Sequence, residues 1–437
     1  MWSFVVCICG TFGLFVIGPL SGDVTNWPEL VIFLSASLGA FVVGFAFVAL
    51  TTLLSRKTLM VESIDTFPRD RRLIRLSILW YILFSVLSLV SHGITTPEAL
   101  VDAILNPRDS YYAKFDAIPG GGSSIWIFQI LNLAGALYFV LIPLAALHWN
   151  RLSSRLRIGV VIAILSYLGF FLATGTQKGL GDILVAIVTV LLAITFVRPR
   201  SSVRRKRPWK ALTFLSTAVV LPVAIVSSFG ARTDSTSTLF QSADLSRAVA
   251  QLSPLFGDDF SRGLVVLSSY ASHGYLGLSY ALQLPFEWAG GLGAFRGISS
   301  YLPQYFGIED PYLTTYPVRI EQVYSWSATE LWSTVYPWMA SDITFPGVVL
   351  AMLVLGICVA TVWMHFLRER SSFSLVLMVI FAIFVVYSPA NNQLFNDRYS
   401  AIGVITLLIV YGFDRWTRRT QREYASLGKL PSGRLPV

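Results

Sequence analysis

ELVIFLSASLGAFVVGFAFVALTTLL, residues 29–54, carries one charged side chain, Glu29, at its very start. A run of this length crosses a bilayer as an α-helix, which needs about 17–25 apolar residues, whereas a spanning β-strand needs only about 9–11. Backbone N–H and C=O groups in lipid must pair within the segment, so a chain built from such runs is all-α. Working outward, comparable runs recur at roughly 3–20, 73–92, 125–147, 158–174, 180–197, 211–229, 345–366, 372–389 and 399–413. Hydrophobic residues make up 54% of the 437 and charged residues 13%. A soluble chain of this size does not bury that much apolar surface. The expectation is a polytopic membrane protein of about ten transmembrane helices. The first run has the length of a signal peptide. No Lys or Arg precedes it and no small-residue cleavage pattern follows, so it is read as a helix.

Basic residues orient the bundle. With 56–75 placed in the cytoplasm, alternation puts 148–157, 198–210, 367–371 and the tail 414–437 there too. These segments hold 24 of the 33 Lys and Arg and 6 of the 24 acids. Both termini are then cytoplasmic. The net charge of +9 is a topology signal and does not point to nucleic acid. The run Arg204, Arg205, Lys206, Arg207 reads as a stop-transfer anchor facing anionic lipid. Cys7, Cys9 and Cys358 all fall in expected spans, with no CxxC, so neither a disulfide framework nor a zinc site is suggested.

The whole chain, 1–437, is expected to form one membrane domain without internal repeats. Two external loops have length. The first, 93–124, is rich in Pro and Gly. The second, 230–344, holds 13 of the Tyr and Trp residues and ten acids against five arginines. Its segment 263–292 is fairly apolar, but one extra crossing would put Arg368, Arg370, Arg415, Arg418, Arg419 and Arg422 outside. Short helices in the external interface, or a re-entrant pair, are expected there.

Candidate chemistry concentrates on this face. Arginine's planar fork suits phosphate. Arg232 lies just past a span, at the depth of a lipid headgroup, or else is a snorkelling anchor. Arg319, in Tyr316-Pro317-Val318-Arg319-Ile320-Glu321, either binds an anion or pairs with Glu321 or another loop acid. The turn Thr174-Gly175-Thr176-Gln177-Lys178-Gly179 sets Lys178 at a helix N-terminus, where phosphate is favoured; it reads equally as a tight hairpin. Asp182, one turn on, either caps that helix or faces the bundle interior. His273 is a candidate general base or a structural histidine bonded to a backbone carbonyl, with Glu321, Glu330 and Asp342 as alternative bases. The adjacent Asp258 and Asp259 read as a solvated turn or a weak divalent-ion site. Rings with polar handles stack on sugars. Tyr275, Tyr316, Trp326 and Trp332, with Asp342, are therefore assigned to substrate binding, although an interfacial aromatic belt has the same composition.

The segments TGTQKG (174–179), SYASHGYLGLS (269–279), YPVRIEQ (316–322) through to WMASDITFPG (338–347), and SPANNQ (388–393) together resemble the O-antigen polymerase family of oligosaccharide repeat-unit polymerases. The resemblance covers roughly the C-terminal two-thirds, and the architecture of many spans with one large external loop matches too. It implies a glycosyltransferase of a bacterial plasma membrane that joins undecaprenyl-pyrophosphate-linked units on the outer face, inverting the anomeric centre, with no metal and no cofactor. The resemblance implies roles on the diphosphate for Arg232 and Arg319 only, and His273 or a loop carboxylate such as Glu321 is the candidate base from the residues themselves. Where family members often place arginine this chain has Lys178, which lacks the bidentate fork. Implied partners are the lipid-linked glycan, membrane lipid, a chain-length regulator and a flippase, and no nucleic acid. Competing readings are an O-antigen ligase-like transferase and a lipid-linked oligosaccharide flippase; a transporter should show paired repeats and broken mid-membrane helices. A metal-dependent transferase with an acidic pair in its first external loop is disfavoured, because 21–28 offers only Asp23. A non-catalytic assembly partner is the fourth reading.

Overall fold

The computed structural model describes residues 1–54, 66–106, 109–110, 126–176, 178–197, 223, 226, 243–329 and 331–426. Arg232, Glu330 and all but Val223 and Val226 of the expected span 211–229 lie outside these residues. All regular structure among the described residues is helical. The chain opens with α1 (Trp2–Ile17), α2 (Trp27–Leu54), α3 (Phe67–Ser91), α4 (Pro97–Leu105), α5 (Trp126–Leu133) and α6 (Ala136–His148). It continues with α7 (Ser154–Ala173), α8 (Lys178–Val197), α9 (Ala243–Phe256), α10 (Asp258–Ser272), α11 (Gly274–Leu282) and α12 (Arg296–Ser299). The last five are α13 (Tyr316–Tyr324), α14 (Val335–Glu369), α15 (Ser372–Tyr387), α16 (Gln393–Asn396) and α17 (Arg398–Ser426).

Five of these helices, α2, α3, α7, α8 and α14, are long and apolar enough to cross a membrane. A sixth arises if α5 and α6, bent by 50° at their junction, form one span. Helices α1 and α15 are apolar but shorter, and the apolar run 399–413 forms the first half of α17. Apolar side chains face outward as well as inward. Only 22% of the most apolar window of α14 is buried, and Ile32, Leu350 and Ile409 stand exposed. In water that surface would aggregate, whereas in lipid it is the expected exterior. The protein thus has the character of a helical membrane protein.

Two cores organise the bundle. The larger joins α3, α6, α7, α8, α15 and α17 around Tyr81, Tyr138, Tyr167 and Tyr399. The second joins α1, α2, α11, α13 and the first part of α14. Helices α2 and α14 cross where Gly44 faces the Leu353 carbonyl and Gly356 faces that of Phe41; a Cβ at either glycine would collide with backbone. Small residues let helices approach this closely, and in lipid such packing replaces the hydrophobic effect as the source of association.

Polar contacts collect at the two ends of the bundle. At one end His148 Nε2 lies 2.9 Å from the Asp70 carboxylate. Arg69 there reaches Asp70, Asp414 and Ser372, and Arg368 donates to the Thr52 carbonyl. The segments around 66–75, 148–157, 367–371 and 414 therefore share one end, as the alternation of charge requires. At the other end Lys178, opening α8, meets Gln393 and Asp397 just before α17.

The segment 243–344 folds onto this second end. Helices α10 and α11 are each shorter than a span. Helix α11 is buried from Gly274 to Ser279, and the Tyr275 hydroxyl sits 2.9 Å from the Thr11 hydroxyl of α1. Thr334 N–H donates to the Gly274 carbonyl, and Val335 N–H to that of Ser388. Helix α14 is broken at Thr344, whose φ of 65° and ψ of 164° are not helical. Pro346 follows and supplies no N–H. The piece before the break belongs to the loop layer, and the piece after it forms the span.

Candidate functional site

The turn between α7 and α8 presents Lys178 to a cavity of about 680 Å³ bounded by α3, α7, α8, α10, Trp332 and the turn following α15. Phe84, Phe170, Phe171, Leu184, Val185 and Leu267 make its walls apolar. Thr174, Thr176, Lys178, Asn391, Asn396 and Asp397 put its polar groups together at the mouth. Tyr270 and Trp332 close one side, with rings 5.9 Å apart. The arrangement matches an amphiphile, taking a polar head at the end of the bundle and an apolar chain between helices.

Lys178 is mostly enclosed and its ammonium has two hydrogen-bond partners. It forms an ion pair with Asp397 and donates to the Gln393 carbonyl at 3.3 Å. The Tyr399 ring centre lies 5.8 Å away. One turn further along α8, Asp182 faces the bundle interior and does not cap the helix. Its carboxylate is buried and accepts the Tyr138 hydroxyl at 2.7 Å. Placing a carboxylate there is costly without a hydrogen-bond donor, which the Tyr138 hydroxyl supplies, while the Tyr81 and Tyr167 hydroxyls bond to the Tyr138 carbonyl and the Tyr399 hydroxyl respectively.

Arg398, next to Asp397, is held by neutral groups. Its guanidinium donates to the Ser300 hydroxyl and carbonyl and to Gln304, and lies 4.3 Å from the centre of the Tyr301 ring. No carboxylate pairs with it among the described residues. A second cation thus follows Asp397 in the chain, outside the cavity lining and without a carboxylate partner among the described residues.

Of the residues singled out in the sequence, Lys178 and Trp332 line this cavity. His273 and Trp326 lie one layer behind. The His273 ring is fully buried, 5.3 Å from that of Tyr270, and its Nδ1–H donates to the Ser269 carbonyl at 2.8 Å. Burial pushes its pKa down to about 4, so the imidazole is neutral at pH 7. Its Nε2 lies close to the Leu331 backbone without a hydrogen bond of regular geometry. Trp326 donates from Nε1 to the Trp332 carbonyl at 2.6 Å and so fixes Trp332, whose φ of 50° is left-handed.

The remaining residues build the loop layer away from the cavity. Arg319 pairs with Glu287 at 2.7 Å and donates to the Pro285 carbonyl at 2.8 Å. Its partner is thus a loop acid, though not Glu321. Glu321 accepts from the Ala328 N–H and fastens the turn after α13. Tyr316 is buried against Phe345, and its N–H donates to the Ser341 hydroxyl. Tyr275 belongs to the core shared with α1. Asp342 accepts the N–H groups of Gly293 and Ala294 at 3.0 and 2.8 Å, so that backbone nest is already filled by a carboxylate. Asp259 pairs with Arg262 in the first turn of α10. Arg232 lies outside the described residues, so its position relative to Arg319 is not described.

Asn391 belongs to the mouth and lies in the SPANNQ segment, whereas Asn396 and Asp397 belong to it although no motif marks them. The available signal was topological. Strict alternation puts the turn before the last span on the same side as Lys178, and Asp397-Arg398 is the charged pair in it. Comparison with known protein families, curated protein sequences and solved structures finds no match to this chain.

Proposed function

We propose that the chain is a ten-span glycosyltransferase of a bacterial plasma membrane, with both termini cytoplasmic, that polymerises undecaprenyl-pyrophosphate-linked oligosaccharide units on the outer face. The observation that carries this reading is the cavity: an apolar slot between helices whose polar groups and enclosed cation gather at one end. A polyprenyl diphosphate has the same division between a long apolar chain and a small, strongly anionic head. The aromatic loop layer folded over that end supplies ring faces for sugars.

In this reading the donor diphosphate rests at Lys178. A hydroxyl of the incoming unit attacks the anomeric carbon. The bond from that carbon to the diphosphate oxygen breaks, and the diphosphate leaves with the electron pair and takes up the proton released by the attacking hydroxyl. A fixed cation at the developing charge lowers the barrier without reorganisation, commonly the largest catalytic contribution. Attack in line with the departing bond inverts the centre. Arg319, satisfied by Glu287, acts on the shape of the loop layer in this state, and His273 is reached by a substrate hydroxyl only if Tyr270 and Trp332 move.

The experiment is polymerisation by the purified full chain in proteoliposomes supplied with lipid-linked single repeat units, read as a ladder of lengthened glycans. A ladder that vanishes in Lys178→Gln supports the reading. Absence of any ladder from the wild type, together with single units retained on the inner leaflet of a null strain, would overturn it in favour of a flippase.

A further inference from the structure

We propose that Asp397 is an internal stand-in for the anionic headgroup: it neutralises Lys178 while the cavity is empty and is displaced onto the start of α17 when a diphosphate enters. This deepens the function proposed above and rests on it.

Two observations carry the inference, and a third sets its electrostatic surroundings. The first is the asymmetry of the ion pair. The Lys178 side chain is 15% exposed and that of Asp397 42% exposed. An enclosed ammonium needs a counter-charge at all times, because stripping an ion of both water and partner is expensive. The carboxylate, already wet, can leave at small cost. Lys178 therefore stays in place and Asp397 is the partner that moves.

The second is that Asp397 has another place to go. Its backbone, at φ −96° and ψ 143°, is extended, and its carbonyl accepts the Ala401 N–H as the first bond of α17. That is the geometry of a helix N-cap, and aspartate is among the residues preferred there because its carboxylate accepts N–H groups of the first turn. The Asp397 carboxylate makes no such bond here, since its hydrogen-bond partner is Lys178. A rotation about its own side-chain bonds exchanges one favourable partner for another, and the positive end of the helix dipole favours the second position too.

The third is Arg398. It follows Asp397 in the chain and lies outside the cavity lining, its guanidinium held by Ser300, Gln304 and Tyr301 with no carboxylate pair among the described residues, so it adds positive charge next to Asp397 without occupying the cavity. With Asp397 on Lys178, the three charged groups Lys178, Asp397 and Arg398 sum to a single positive charge. With Asp397 turned onto α17, Lys178 faces the cavity without its counter-charge, and a diphosphate replaces the lost carboxylate better than a singly charged head does. The exchange thus selects for highly charged heads, since only these repay loss of the internal pair.

The test is binding of undecaprenyl pyrophosphate to the full chain in phosphatidylcholine nanodiscs. Lys178→Gln, Asp397→Asn and Asp397→Ser are compared with wild type. Asparagine and serine both cap helices, so these variants keep α17 while removing the competing charge. The proposal expects Asp397→Asn and Asp397→Ser to bind roughly three- to tenfold more tightly, as befits a partly exposed ion pair, and Lys178→Gln to bind at least tenfold more weakly. It also expects phosphatidylglycerol to gain in affinity for the Asp397 variants relative to undecaprenyl pyrophosphate. Inorganic pyrophosphate, offered alone, separates a lipid headgroup site from a free-anion site: competition by it at equal concentration would assign the site to a soluble anion and overturn the lipid form of the proposal. If wild type binds and Lys178→Gln does not, yet the Asp397 variants bind no better than wild type, the displacement idea fails while the cavity's role stands. If wild type binds nothing, both fail.

Discussion

At the scale of single residues, charge and burial decide which groups are free to act. His273 illustrates the sign of the effect. Its unfolded imidazole takes a proton near the ordinary value of about 6.5, whereas the buried ring takes one only near pH 4. The unfolded state therefore binds more protons between these values. Stability from this residue is complete above about pH 6.5, declines as pH falls, and stops declining below about pH 4, after a loss on the order of 3 kcal/mol. Thermal unfolding of purified protein across that window should show the decline, and His273→Gln should flatten it. An unchanged slope would mean that the ring is hydrated in solution. Arg319 gives a second prediction. Removing it leaves Glu287 without its partner and the Pro285 carbonyl without its donor. Arg319→Ala should therefore lower stability and glycan yield together, and Arg319→Lys should restore part of both. Normal stability with abolished polymer would instead return Arg319 to a role on substrate. Sequence could name these residues but not their partners. Glu287 is 32 positions from Arg319, and no local spacing pairs them.

At the scale of elements, two positions carry testable strain or contact. Thr344 holds φ and ψ of 65° and 164° inside α14, a region populated almost only by glycine, and a β-branched residue there costs on the order of 1–3 kcal/mol. Thr344→Gly should raise stability by about 1 kcal/mol, read from chemical denaturation. A loss would show that the Thr344 hydroxyl, 3.4 Å from the Gly347 N–H, matters more than the backbone. At the α2–α14 crossing, Gly356→Val has no room against the Phe41 carbonyl. It should cost about 1–3 kcal/mol by overpacking and reduce the yield of folded protein, with Gly412→Val, where open space surrounds the glycine, as the control. The long apolar helices were legible because composition alone makes them insoluble outside lipid. The break in α14 at Thr344 falls where the sequence ends its external loop at 344 and begins a span at 345, next to Asp342 and Pro346, whereas the bend between α5 and α6 was not legible. That bend lies inside one expected span, 125–147, and only neighbours decide where such a helix turns.

For the whole molecule, the two ends differ in kind. One gathers Arg69, Asp70, His148, Arg368 and Asp414, and the other holds the cavity mouth with Lys178, Asp397 and Arg398. Single cysteines placed at Ser153 and at Ser325 in a chain without its own three should report this. In intact cells a membrane-impermeant thiol reagent should modify position 325 and spare 153, and the reverse result would invert the orientation. The sequence by itself determined that the chain is helical and suited to a membrane, and which segments share an end. Those properties follow from the cost of unpaired backbone in lipid and from the retention of Lys and Arg on one side, and both act locally along the chain. Only the tertiary structure decided the site. A cavity exists where α3, α7, α8, α10 and the turn after α15 happen to leave space, and Lys178 meets Asp397 across 219 positions because packing brings two helix starts together. Such proximity is a property of the bundle as a whole, and no segment read alone contains it.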